Sequence, residues 1–169
     1  MIDAAVAPLG RRLRVLVLSM LVAVALSISP LPDWAGPWRP AWALLAAIYW
    51  GIALPSSFGV ASAWLTGLML DVFDATLLGQ NALGFAIAAY IAARYHLVIR
   101  NLSLIQQALT VGGMVMVFNA LMYAIEAAAG YEVELPLRAA SAVTSMLVWP
   151  WVFLVLRAVR RRWLGVRTA

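Results

Sequence analysis

Few side chains in this sequence are equipped for chemistry, and the most informative are two carboxylates. Asp71 and Asp74 stand three residues apart, a spacing that puts both on one face of a helix. An Asp-x-x-Asp pair suits magnesium held against a diphosphate, because that ion takes one or two carboxylates together with substrate phosphate oxygens. Such chemistry also needs a basic clamp, and only Arg39 and Arg138 are expected at that depth on the same side. The plainer reading leaves Asp74 at an interface and makes Asp71 a helix anchor or a lone cation ligand. His96 is the single histidine, set between Arg94 and Arg100, and one histidine cannot make a multi-histidine metal site. Cysteine is absent, which excludes a disulfide framework, thiolate catalysis and thiolate-bound metals. There is no Gly-x-Ser-x-Gly elbow, phosphate loop or dinucleotide glycine fingerprint. No catalytic residue, cofactor or metal site is expected.

The elements that carry these groups are membrane spans. Of 169 residues, 65% are hydrophobic and 11% charged, with a mean hydropathy of +0.93. Soluble domains run at about 45–50% apolar and about 25% charged, so both a soluble fold and a disordered chain are excluded. A span needs about 20 apolar residues. The apolar stretches give six, at residues 15–32, 38–54, 58–78, 81–97, 103–125 and 139–157, in a single integral membrane domain over 1–169. Pro55-Ser56-Ser57 divides the second span from the third as a tight turn. The fold class is all-α, a six-helix transmembrane bundle.

Charge placement sets the topology. All 12 basic residues are arginine, against 7 acids. A pI near 10.4 can signal nucleic acid, but these arginines are dispersed between apolar runs, and no nucleic-acid partner is expected. With the N-terminus inside, Arg11, Arg12, Arg14, Arg94, Arg100, Arg157, Arg160, Arg161, Arg162 and Arg167 are cytoplasmic, leaving Arg39 and Arg138 outside. That is the positive-inside pattern with both termini cytoplasmic. A secretory signal ending at Ser27-Ile28-Ser29 is the rival for the first span, and Pro30 argues against it. Trp34, Trp38 and Trp42 fit an outer aromatic belt and Trp163 an inner one.

Within the spans, Asp71 lies 13 residues past Phe58, roughly 20 Å into a core about 30 Å thick. A charge at the centre costs about 2.5–3.5 kcal/mol, so Asp71 must face protein or water. Gly59, Ala63, Gly67 and Asp71 recur every fourth residue, as do Gly84, Ala88 and Ala92 in the next span. Small residues permit close helix approach, and the expectation is a third–fourth helix seam with both stripes buried and Asp71 at its outer end. Gln107 and Asn119 are placed for interhelical hydrogen bonds or a solute pocket. Trp149-Pro150-Trp151 is expected to kink the last helix.

Taken in order, several fragments resemble the rod shape-determining protein MreD family. They are Arg39-Pro40-x-Trp42, Leu44-Leu45, Tyr49-Trp50, Ala53-Leu54-Pro55, Gly67 with Asp71, Leu78-Gly79 and Ala82-Leu83. Arg100-Asn101-Leu102, Gln106-Gln107-Ala108-Leu109 and Trp149-Pro150-Trp151-x-Phe153 leading to Arg157 complete the set. The resemblance spans residues 12–162. It implies a multi-pass protein of the bacterial inner membrane, similar in fold to the substrate-binding subunits of energy-coupling-factor transporters. It further implies a non-enzymatic scaffold of the cell-elongation (rod) complex, needed for rod shape and lateral peptidoglycan synthesis. Its partners would be MreC, the MreB filament, RodA and a class B transpeptidase. Asp74 departs from the family pattern, where a small residue is usual.

Contact surfaces are then expected in the Trp38–Trp50 segment (Trp38, Arg39, Trp42, Tyr49, Trp50), around Asp71, and in the outer loop at Glu132 and Glu134. The cytoplasmic arginines would also attract anionic membrane lipid, by about 1 kcal/mol each near the surface. A small-solute binding or transport subunit built on Asp71, Gln107 and Asn119 is the alternative. A metal-dependent lipid-modifying enzyme on Asp71 and Asp74 is a third reading.

Overall fold

The computed structural model describes residues 8–131 and 135–164. In chain order the helices are α1 (Leu9–Ile28), α2 (Trp42–Ala53), α3 (Val60–Phe73), α4 (Gln80–Arg94), α5 (His96–Asn101), α6 (Leu104–Ala128) and α7 (Leu135–Leu164). A 3-10 turn, Asp33–Trp38, joins α1 to α2. Among the described residues there is no strand.

Helix ends follow backbone chemistry more closely than hydropathy. α1 stops at Ile28 because Pro30 and Pro32 cannot continue it, and Pro40 delays α2 until Trp42. α3 ends at Phe73 rather than near residue 78, since Ala75 (φ 50°) and Gly79 (φ 93°) turn the chain through left-handed conformations. The fourth apolar segment ends at Arg94, and α5 restarts separately at His96. Ser103 opens α6 with a full capping box, its hydroxyl accepting from the Gln106 amide while the Gln106 side chain accepts from Ser103 N–H. α7 stays helical through Pro150.

Two helices are long and apolar enough to cross a membrane, α6 over Leu104–Ala128 and the Ala139–Leu164 part of α7. Only 33% and 22% of their apolar windows are buried inside the chain. The core helix of a soluble protein would bury most of its apolar surface, whereas Ile105, Leu109, Val117, Leu147 and Trp151 all face outward. Lipid is the environment in which such a surface is at rest.

α2 is the opposite case. Ten of its twelve residues, Ala43–Ile52, are buried, with α1, α4, α5, α6 and α7 packed around it. Polar side chains tie it in place. Trp50 Nε1 donates to Ser19 Oγ on α1 (2.9 Å), and the Ala43 amide donates to Ser27 Oγ (3.1 Å). At its N-terminus the Ala41 amide donates to Ser145 Oγ of α7 (3.0 Å). The two backbone bonds satisfy helix-end donors, and the third a buried indole N–H, that apolar surroundings would otherwise leave bare.

Candidate functional site

The charged residues separate into two ends of the bundle. At one end α3 meets the N-terminus of α4, which in turn meets the C-terminus of α6, where Gln80 Nε2 donates to Glu126 Oε1. Asp71 sits here, 1% exposed. Its Oδ1 accepts from Asn81 N–H (2.8 Å) and Thr76 Oγ1 (3.1 Å), and its Oδ2 from Gly79 N–H (2.9 Å) and Ala82 N–H (3.3 Å). A carboxylate offers about four lone-pair sites, and these four donors occupy them. α4 has no side-chain cap of its own, since its N-cap is Gly79. Asp71 caps it from α3, where negative charge also meets the positive end of the helix dipole.

This arrangement explains the small residues of α3. A Cβ added at Gly67 would lie 2.6 Å from both Ala82 Cα and Asn81 O, so only glycine lets the two backbones come close enough for the carboxylate to reach. Ala63 is buried one turn earlier, whereas Gly59 is the N-cap of α3 with open space beside it. The α4 stripe behaves differently from expectation. A Cβ at Gly84 would meet Phe118 of α6, and Ala92 faces Gly51 of α2. One small-residue face of α4 thus serves two other helices, while α3 packs against Asn81 and Ala82.

Asp71 and Asp74 do not form a pair of ligands. The lone pairs of Asp71 are spent on the cap, and Asp74, the C-cap residue of α3, is exposed. Among the described residues no group of three or more metal-ligating side chains occurs. Arg39, at the same end, donates from Nη1 to Ser27 O and from Nη2 to Ser29 O (2.7 Å), a cation closing the C-terminus of α1.

The aromatic residues divide by exposure. Tyr49, Trp50 and Trp149 are interior, with Tyr49 edge-on to Trp50 (centroids 5.2 Å apart) and to Phe153 (5.8 Å). Trp42 is half-buried, as is Pro150, while Trp38 and Trp151 face outward. Trp50 is therefore enclosed by the helices around α2, whereas Tyr49, buried as well, borders the cavity at the other end of the bundle. Glu132 and Glu134 lie outside the described residues.

At the other end is a site that spacing alone did not reveal. α2, α5, the start of α6 and the second half of α7 enclose a cavity of about 450 Å³. Its polar lining is Tyr49, Arg100, Asn101, Gln107, Arg157 and Arg160, and no carboxylate is among the described lining residues. Arg160 is 7% exposed, and among the described residues neither its Nε nor the buried Tyr49 hydroxyl has a hydrogen-bond partner. Arg157 lies over the Phe153 ring, 5.9 Å from its centroid. Gln107 belongs to this cavity and Asp71 to the opposite cap, with Asn119 twelve residues along α6 from Gln107. Those three residues build no common cage. His96 is turned to the backbone, its Nδ1 2.6 Å from Ala93 O.

A family model described as rod shape-determining protein MreD matches residues 11–159. The chain belongs to this family. It is also 33% identical over 142 residues to the rod shape-determining protein MreD of Haemophilus influenzae, covering 84% of this chain and 88% of that protein. No solved structure matches. Membership in MreD implies a role in rod shape determination, as a bacterial membrane protein of structural rather than known enzymatic kind. Several of the fragments by which the sequence resembles MreD meet in space. Tyr49, Arg100-Asn101, Gln107, Phe153 and Arg157 all line the arginine cavity. Neighbouring arginines at span ends were the available signal, but topology alone accounted for them.

Proposed function

We propose that this MreD chain is a six-span scaffold of the cell-elongation machinery in the inner membrane, with both termini in the cytoplasm. The crossings are α1, α2, α3, α4, α6 and α7, with α5 lying at the cytoplasmic surface. An even number of crossings is supported by α1 and α7 themselves. Arg11 and Arg14, near the start of α1, share a hollow with Val159 and Trp163, near the end of α7. The bundle then resembles the substrate-binding subunits of energy-coupling-factor transporters in helix number.

The scaffold's work is to bind MreC and, with it, the MreB filament, RodA and a class B transpeptidase, so that lateral peptidoglycan is laid down along a rod. The observation that carries this reading is the MreD match over residues 11–159. The surfaces fitted to it are helix faces. Apolar grooves run between α1 and α3, past Val17, Leu21, Leu65 and Met69, and between α1 and α7, past Leu18, Val22 and Val155. A partner's membrane helix would bury apolar area there, and in the α1–α3 groove it would meet no charged side chain.

Depletion in a rod-shaped host is the test. Rounded cells, with MreC recovered alongside this chain from native membranes, are expected. Unchanged rods would overturn the role.

A further inference from the structure

We propose that the arginine cavity between α2, α5, α6 and α7 is a binding site for the phosphate of an anionic lipid headgroup. It rests on residence of the chain in a bilayer, and on no partner protein. Three guanidinium residues, Arg100, Arg157 and Arg160, line about 450 Å³ of space with no carboxylate among the described lining residues. That volume falls in the range of about 300–1,000 Å³ usual for ligand sites.

The second observation is the state of the buried groups. Arg160 is 93% buried and Tyr49 98% buried, from exposures of 7% and 2%. Yet Arg160 Nε and the Tyr49 hydroxyl have no hydrogen-bond partner among the described residues. Buried cations are ordinarily paired, because desolvation without a counter-charge is costly. At the opposite end Asp71 is satisfied completely, and Arg39, whose Nε is also bare, still donates through both Nη groups to carbonyls of α1. A phosphate supplies what this end lacks, an anion with several acceptor oxygens that guanidinium forks and a tyrosine hydroxyl can address together.

The rim selects a lipid over a free anion. Ile52, Leu97 and Phe153 line the same cavity, and Leu97 is 65% exposed, so the mouth continues into the apolar outer surface. A ligand that fits both parts has a charged head and a hydrocarbon tail. The absence of a lining carboxylate also disfavours a headgroup that carries its own ammonium. This is a located site, distinct from the diffuse attraction that exposed Arg161 and Arg162 exert on any anionic surface.

The experiment titrates the purified full chain in detergent with short-chain phosphatidylglycerol, short-chain phosphatidylcholine and inorganic phosphate. It compares the wild type with Arg157→Gln, Arg160→Gln and Arg161→Gln. Saturable binding of phosphatidylglycerol is expected, weakened about tenfold or more by Arg157→Gln and little changed by Arg161→Gln, which removes the same charge outside the cavity. Should Arg160→Gln not fold, the half-buried Arg157 decides the matter. Equal weakening by Arg157→Gln and Arg161→Gln would reduce the site to diffuse electrostatics and overturn it. Equal affinity for phosphatidylcholine would overturn the role of net charge. Inorganic phosphate bound as tightly as the lipid would reassign the cavity to a soluble anion. Because the isolated chain is used, loss of the scaffold role in cells leaves these readouts unaffected.

Discussion

Asp71 at one end of this bundle and Arg160 at the other are buried charges handled in opposite ways. Around Asp71 every lone pair has a donor, and the donors belong to the turn and first residues of α4. Around Arg160 and Tyr49 polar atoms are enclosed and unpaired, beside open volume. A saturated charge is a fixture of the fold. An unsaturated one beside a cavity is an invitation to something outside the chain, and residue type alone does not tell the two apart.

Six substitutions test this contrast through thermal stability of the purified protein without added lipid. Asp71→Ala should cost the most, about 3 kcal/mol, since it strips the cap of α4 and leaves several buried donors bare. Asp71→Asn should recover part of the loss, because its amide oxygen still accepts while its nitrogen does not. Gly67→Ala comes next at about 2 kcal/mol, because its Cβ would be forced against the backbone of Asn81 and Ala82. Arg39→Gln should cost about 1 kcal/mol through the two carbonyls it closes on α1. Gly113→Ala, with nothing within 4 Å of its added Cβ in the middle of α6, should stabilise by about 0.5–1 kcal/mol. Arg157→Gln at the other end should stay within about 0.5 kcal/mol of wild type. If it destabilised as much as Asp71→Ala, the arginines would be structural too and the contrast would fail.

Much of the α3 seam was legible in the sequence. Ala63, Gly67 and Asp71 share a helix face by spacing alone, and a carboxylate at that depth had to find protein. Its partner was not legible, because the donors are backbone amides of the next helix, which every sequence has. The limits of α3 were missed for a related reason. Hydropathy stays high through Leu77 and Leu78, but the φ angles of Ala75 and Gly79 end the helix sooner. The α4 stripe was read correctly as small and wrongly as single-sided, since spacing shows that residues share a face and not which neighbour that face meets. The arginine cavity draws on four elements separated by as many as 111 residues, from Tyr49 to Arg160. No local pattern brings such residues together.

The enclosure of α2 bears on how the protein is made. Its twelve residues span only about 18 Å, against a hydrocarbon core of about 30 Å. Such a segment lacks the length to anchor itself, and α1, which receives Trp50 at Ser19, covers only one of its sides. Synthesis of the first two helices therefore delivers a piece that lipid by itself holds poorly, and its final seat exists only once α4 and α7 have emerged to close around it. A ribosome stalled before α7 would leave an unfinished chain whose innermost helix is still open to the quality-control machinery of the membrane.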